Sequence, residues 1–174
     1  MMRYVPYLQR KAEDFPVKHN GHIVSDDKYV LNDKDYASLK NWITGRTTEF
    51  LRLVLTIDSD ALITQSWIIK NTNKQCAFPQ SYQNSIASGI FCMDIPDGNA
   101  LILFHKNVSC GDGCFSIEPK RYDDEGRDYT YSSSTYKLPV SSGELILFPS
   151  WLNHSVPENS TLFDRWSLGF NSMV

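Results

Sequence analysis

The stretch Gly143-Glu-Leu-Ile-Leu-Phe-Pro-Ser-Trp-Leu-Asn-His154-Ser-Val-Pro-Glu-Asn159, followed by Asp164-Arg165-Trp-Ser167-Leu-Gly-Phe-Asn171, sets the fold. Its apolar residues come in short runs bounded by Gly, Pro, Asn and Ser, which is strand chemistry. His154 stands at the start of one such strand and Arg165 at the start of the next. Ser167, two positions beyond Arg165, shares its face because side chains alternate along a strand. The imidazole is a metal-binding group. The guanidinium grips a carboxylate through two parallel hydrogen bonds, and Ser167 can donate a third.

Upstream, the same chemistry predicts strands over residues 62–70, 86–95, 100–105, 114–118, 129–138, 144–148, 154–156 and 166–170. In the first of them Ile63, Gln65, Trp67 and Ile69 are expected on one face. Turn residues punctuate the strands at Pro96-Asp-Gly98, Gly111-Asp-Gly113, Asp123-Asp-Glu-Gly126 and Ser141-Ser-Gly143. Before them, Tyr36, Leu39, Trp42, Ile43, Phe50, Leu53, Val54 and Ile57 recur every three or four residues. Asn32 and Asp35 offer a cap, and Gly45 weakens the middle, so one broken helix or two short ones are expected. Short strands after a helix fit a mainly β fold with a flanking helix, a jelly roll of the cupin-like, double-stranded β-helix type. Residues 1–31, polar and irregular, read as an N-terminal arm or short edge strands, and residues 32–174 as a single jelly-roll domain.

With 174 residues, 41% of them hydrophobic, the chain has the material for one core. A net charge of -3 gives no general attraction for a phosphate backbone, so nucleic acid is not an expected partner. No apolar run approaches the ~20 residues of a membrane helix, and the first residues lack a signal-type apolar core. The expected setting is therefore the cytoplasm. Cys76, Cys92, Cys110 and Cys114 are expected as reduced thiols. Cys110-Gly-Asp-Gly-Cys114 reads as a glycine-rich turn, since no second Cys or His pair accompanies it at zinc-site spacing. His19 and His22 read as an exposed pair, Asp123-Asp-Glu125 as a solvated loop, and the sequons at Asn107, Asn153 and Asn159 carry no weight.

Over residues 63–171 the chain resembles the phage- and bacterium-encoded 2-oxoglutarate/Fe(II) oxygenases. Ile63-Thr-Gln-Ser-Trp67 is similar to the strand before their site. Asn84-Ser-Ile-Ala-Ser-Gly89-Ile-Phe91 is similar to the segment after their paired metal ligands, and Phe148-Pro-Ser-Trp-Leu-Asn-His154 to their late ligand strand. The resemblance implies His154 as a metal ligand and Arg165 with Ser167 as the clamp for the far carboxylate of 2-oxoglutarate. It also implies Gln80 and Tyr82 at the positions of the two early ligands, where relatives read His-x-His-Pro. An amide and a phenol are poor ferrous donors, so His154 is expected as a relic, with Cys76, Cys92 or His105 as candidate replacements. Arg165 would otherwise pair with Glu158 or Asp164.

Two functions are therefore expected in competition, with a cupin-like binder of small carboxylates without turnover as a third possibility. One is a non-catalytic member of the fold, without cofactor, serving as a structural or binding module. It would work through protein partners, self-assembly or a small dicarboxylate, with a phage virion or assembly apparatus as its setting. The other is a working hydroxylase of a protein or small molecule that uses Fe(II) and 2-oxoglutarate.

Overall fold

A computed structural model describes residues 9, 16–19, 21–96, 100–106 and 135–174. The described strands are β1 (Pro16–His19), β2 (His22–Ser25), β3 (Leu62–Asn71), β4 (Ala77–Gln80), β5 (Ala87–Asp94), β6 (Leu101–His105), β7 (Thr135–Pro139), β8 (Leu145–Pro149), β9 (His154–Val156) and β10 (Arg165–Met173). Helix α1 (Ala37–Leu53) lies between β2 and β3. The strands form a six-stranded sheet, in the order β1-β2-β3-β10-β5-β8, and a four-stranded sheet, β4-β9-β6-β7. This is the expected double-stranded β-helix.

The two sheets and the helix make three layers. Between α1 and the large sheet lie Leu39 and Ile43 of the helix with Ile68, Phe91, Met93, Leu168 and Phe170 of the strands. Between the sheets lie Ile90, Cys92, Ile102 and Phe148. β5 serves both layers through strand alternation: Phe91 and Met93 point to the helix, Ile90 and Cys92 to the small sheet. That explains why β5 is buried from Ala87 to Met93 and is apolar there except at Ser88.

Gly89 has a steric reason to be glycine. It lies opposite Phe170 across the β5–β10 ladder, and a Cβ there would sit 2.3 Å from the Phe170 ring.

Three sequence expectations change. The helix is unbroken: Gly45 faces open space, so its cost is a modest propensity loss rather than a break. Its buried face runs Leu39, Ile43, Thr47, Leu51, while Leu53 and Val54 are exposed. Thr47 is tolerated inside because its hydroxyl donates to the Ile43 carbonyl at 2.8 Å. The helix start also differs: α1 begins after Tyr36 with no side-chain cap, Asp33 accepts from the Asp35 amide at the head of a short 3-10 turn (Lys34–Tyr36) before it, and the Asn32 side chain accepts from Lys40.

The third change is the facing of β3. Gln65 lies opposite Asn171 but Ile63 lies opposite Ser172, so Thr64 is an extra residue. This bulge puts Ile63 on the helix side with Ile68, and not with Gln65, Trp67 and Ile69 as the alternation suggests.

Residues 16–31 supply the β1–β2 hairpin to the sheet edge, and Val30 and Leu31 are fully buried against α1. The strand expected over 114–118 and the first part of the one over 129–138 lie outside the described residues. Strand β4 carries Pro79, which breaks the pattern that would have revealed it. Among the described residues no helix is long and apolar enough to cross a membrane.

Candidate functional site

Because Trp166, Leu168 and Phe170 of β10 face the helix, Arg165, Ser167, Gly169 and Asn171 face the small sheet. Strand β9 brings His154 over this surface. It is flanked by β4 and β6, with Gln80 and Phe104 as the cross-strand neighbours of His154. Gln80, Tyr82 and His154 thus meet in one place, as the resemblance implies.

Their chemistry is neutral. His154 is buried, and its Nδ1 lies 3.1 Å from the Leu152 carbonyl. A carbonyl only accepts, so Nδ1 carries the hydrogen and the Nε2 lone pair is left for another partner. Burial lowers the imidazole pKa, the Leu152 carbonyl opposes this, and His105 adds to it. Around it pack Phe148, with ring centres 4.6 Å apart, Tyr82 at 5.5 Å and Phe104 at 6.4 Å. Gln80 Nε2 donates to Tyr82 Oη at 3.2 Å, and the Tyr82 ring meets Trp67 edge-on at 5.6 Å. Burial pushes the Tyr82 phenol well above its usual range, so it stays protonated.

This donor set does not fit a ferrous ion. Such a site needs two imidazoles and a carboxylate, or a near equivalent, with open positions. Here one imidazole stands with a neutral amide and a protonated phenol, already bonded to each other. Among the described residues no group of three His, Cys, Asp or Glu side chains could hold a metal. Nor do the candidate replacements help. His105 bonds Ser155 at 2.7 Å, and Ser155 follows His154 in β9, so His105 lies on the opposite face of the small sheet. Cys76 lies against Gly21, ahead of β4.

Cys92 lies opposite Ser167 on the neighbouring strand. Burial, with help from Glu144, pushes its thiol up to about 12 despite Arg165 nearby, so it is not a thiolate donor.

The clamp residues are differently placed. Arg165 is 5% exposed, and the one hydrogen bond of its side chain to a described residue goes from Nη2 to the Pro157 carbonyl at 3.2 Å. A guanidinium carries five donors. The expected pairing with Asp164 does not occur, because Asp164 holds Lys70 at 3.0 Å. Among the described residues no carboxylate pairs with Arg165. Glu158 lines a pocket that opens beside it, together with Asn159, Ser160 and Thr161. Burial lowers the Arg165 pKa, and Cys92 opposes that shift. Ser167, on the same face and 8% exposed, is paired with β3 and β5 through its backbone, and its hydroxyl has no hydrogen-bond partner among the described residues.

Asn159 shapes the loop before Arg165. Its side chain donates to the Asn71 and Phe163 carbonyls and accepts from Thr161. The amide of this sequon is thus structural.

One group was not anticipated. Ser88 donates to Asn171 at 2.7 Å and meets Ser150 at 2.7 Å, and Asn171 Nδ2 donates to Gln65 at 3.4 Å. The signal was present in β10, where Asn171 continues the alternation of Arg165 and Ser167. His22 is buried on β2 and not exposed as expected, because β2 pairs with β3 inside the large sheet, while Cys110, Cys114, Asp123 to Glu125 and Asn107 lie outside the described residues.

A family profile described as Putative 2OG-Fe(II) oxygenase matches residues 65–171. No curated protein matches by sequence. Among solved structures the chain is similar to the epimerase SnoN in complex with Fe3+, alpha ketoglutarate and nogalamycin RO, at 14% identity and TM-score 0.68, covering 98% of this chain and 73% of that one. It is also similar to HygX from Streptomyces hygroscopicus with nickel and 2-oxoglutarate bound, at 10% identity and TM-score 0.65, over 99% and 79%. A Pseudomonas putida prolyl-4-hydroxylase matches at 10% identity and TM-score 0.62, over 99% and 85%. At these identities the likeness is one of fold.

Proposed function

The chain belongs to the 2OG-Fe(II) oxygenase family, its match spanning residues 65–171, and we propose that it is a non-catalytic, carboxylate-binding member. In this reading Arg165 and Ser167 hold a small organic anion, and neutral side chains have replaced the metal centre. The observation that carries it is the meeting of Gln80, Tyr82 and His154 at one spot with a single imidazole between them. Arg165 supports the second half. A buried guanidinium that meets no carboxylate among the described residues is costly, and a bound anion relieves the cost.

Ligand binding here needs no reaction step. The anion replaces lost hydration on Arg165, Ser167 donates its hydroxyl, and the surrounding apolar layer strengthens both contacts by excluding water. Such a module would act through the occupancy of its site, in an assembly or with a protein partner.

The competing reading, a working hydroxylase, is favoured by the retained His154 and Arg165. Anaerobic addition of ferrous iron and 2-oxoglutarate separates the two. A competent site produces a weak visible charge-transfer band. Our reading expects none, and a band that disappears in His154→Ala would overturn it.

A further inference from the structure

Independently of what Arg165 binds, we infer that the open edge of β8, with the groove between it and α1, is a two-fold interface at which a second copy of this chain docks. β8 ends the large sheet, and β5 is its one strand partner among the described residues. The Cys92 amide donates to the Glu144 carbonyl, and the Ser150 amide to the Ile86 carbonyl. Bonded positions alternate in an antiparallel ladder, so Ile146 and Phe148 bond to β5 while the N–H and C=O groups of Leu145 and Leu147 point outward. Sheet edges are usually blunted by shortness, proline or charge. The opposite edge follows that rule: β1 has four residues, begins with Pro16 and contains Lys18. β8 reads Leu-Ile-Leu-Phe-Pro, and of these devices it has only Pro149, at its last position.

Beside this edge lies a groove of about 410 Å³, formed by Trp42, Arg46, Glu49 and Phe50 of α1 against Leu145 and Leu147 of β8. Leu53 and Val54 extend it, 75% and 61% exposed. Apolar side chains beside outward backbone groups fit an added strand. Self-complementarity, which an interface between identical chains requires, identifies the occupant. When β8 of a second copy runs antiparallel with Ile146 on the two-fold axis, Leu145 of each chain faces Leu147 of the other. Both pairs then exchange their N–H···O bonds, and every outward group of these two residues is satisfied. The side chains obey the same symmetry. The two Ile146 side chains, half-buried in a single chain, meet on the side of the small sheet, and Leu145 and Leu147 meet their counterparts on the side of the helix. The charges agree as well. Arg46 and Glu49 lie 2.7 Å apart, each about half exposed, so the groove presents one cation and one anion. A two-fold copy brings its Glu49 to Arg46 and its Arg46 to Glu49, whereas a partner of one sign is repelled by one of them.

The test is sedimentation equilibrium of the full chain across the micromolar range, where we expect a monomer–dimer equilibrium. Arg46→Glu and Glu49→Arg alter half-exposed side chains and should each weaken the dimer by about tenfold or more, because like charges then face each other. An equimolar mixture of these two variants should restore the dimer, as a heterodimer. Leu147→Pro removes an outward N–H that β5 does not use and should abolish dimerisation. Thermal transitions check that each variant folds, and if Leu147→Pro does not, the charge reversals decide alone. A chain that stays monomeric throughout the range overturns the inference and assigns the groove to a partner of another sequence. A dimer that neither charge reversal weakens also overturns it, since the copies then meet elsewhere. Neither result bears on the ligand of Arg165.

Discussion

Gln80 lies directly opposite His154 across the β4–β9 ladder, and its amide donates to the Tyr82 hydroxyl at 3.2 Å. The three side chains that the resemblance assigns to a metal centre are therefore brought together by the fold, but as a neutral, partly self-satisfied group. What the backbone preserves and what the side chains permit have come apart. Arg165 on β10 carries a charge, while Gln80, Tyr82 and His154 form a neutral group.

The burial of His154 predicts a pH dependence. Its pKa is lowered in the folded protein, so the unfolded chain takes up a proton near pH ~6.5 that the folded chain resists. Stability is thus full above that range and falls as pH drops through it. Urea unfolding at pH 7.5 and 5.5 should show a lower midpoint at 5.5, and the difference should shrink in His154→Phe. An equal difference in the variant would place the effect elsewhere.

The buried guanidinium predicts an opposition between stability and binding. Replacing Arg165 by Met removes a charge that has no carboxylate partner among the described residues and should stabilise the ligand-free protein by about 1 kcal/mol or more. Denaturant melts of the two proteins measure this. A loss of several kcal/mol would show that Arg165 serves the fold and not a ligand.

Cys92 should be chemically silent. Its thiol is buried and pushed up to about 12, so the thiolate that reacts with iodoacetamide is scarce at neutral pH. Site-resolved mass spectrometry after brief alkylation should find Cys92 unmodified in the native protein and modified once urea unfolds it. Rapid native labelling would mean that the layer between the sheets opens readily.

Gly89→Ala tests the packing that aligns β5 with β10. A Cβ would meet the Phe170 ring at 2.3 Å and Leu147 at 2.9 Å, so the strands must shift. We expect a loss of about 1–3 kcal/mol in unfolding free energy. A neutral outcome would mean that Phe170 moves aside without cost.

Most of the architecture was legible because it rests on local chemistry. Short apolar runs between turn residues gave β5, β6, β8, β9 and β10, and the alternation of Arg165 and Ser167 correctly put them on one face. Long-range register was not legible. The bulge at Thr64 reverses the facing of β3, and nothing local to Ile63-Thr-Gln-Ser-Trp67 announces it. Helix periodicity overstated Leu53 and Val54, because in the last turn of α1 it is Leu51 that continues the buried face of Leu39, Ile43 and Thr47, and Leu53, two residues on, lies off it. At the site, residue types told which groups were present, but not their pairings. That Asp164 serves Lys70, so that no carboxylate among the described residues pairs with Arg165, and that Ser88, Ser150, Asn171 and Gln65 form a network, emerges only when the strands are assembled.

Ferrous-ion binding measured by anaerobic equilibrium dialysis tests the central claim most directly. The protein as it stands should retain no stoichiometric iron, whereas Gln80→His combined with Tyr82→Asp, which rebuilds two imidazoles and a carboxylate with His154, should retain about one ion per chain. One ion held by the unaltered protein and lost in His154→Ala would contradict the account.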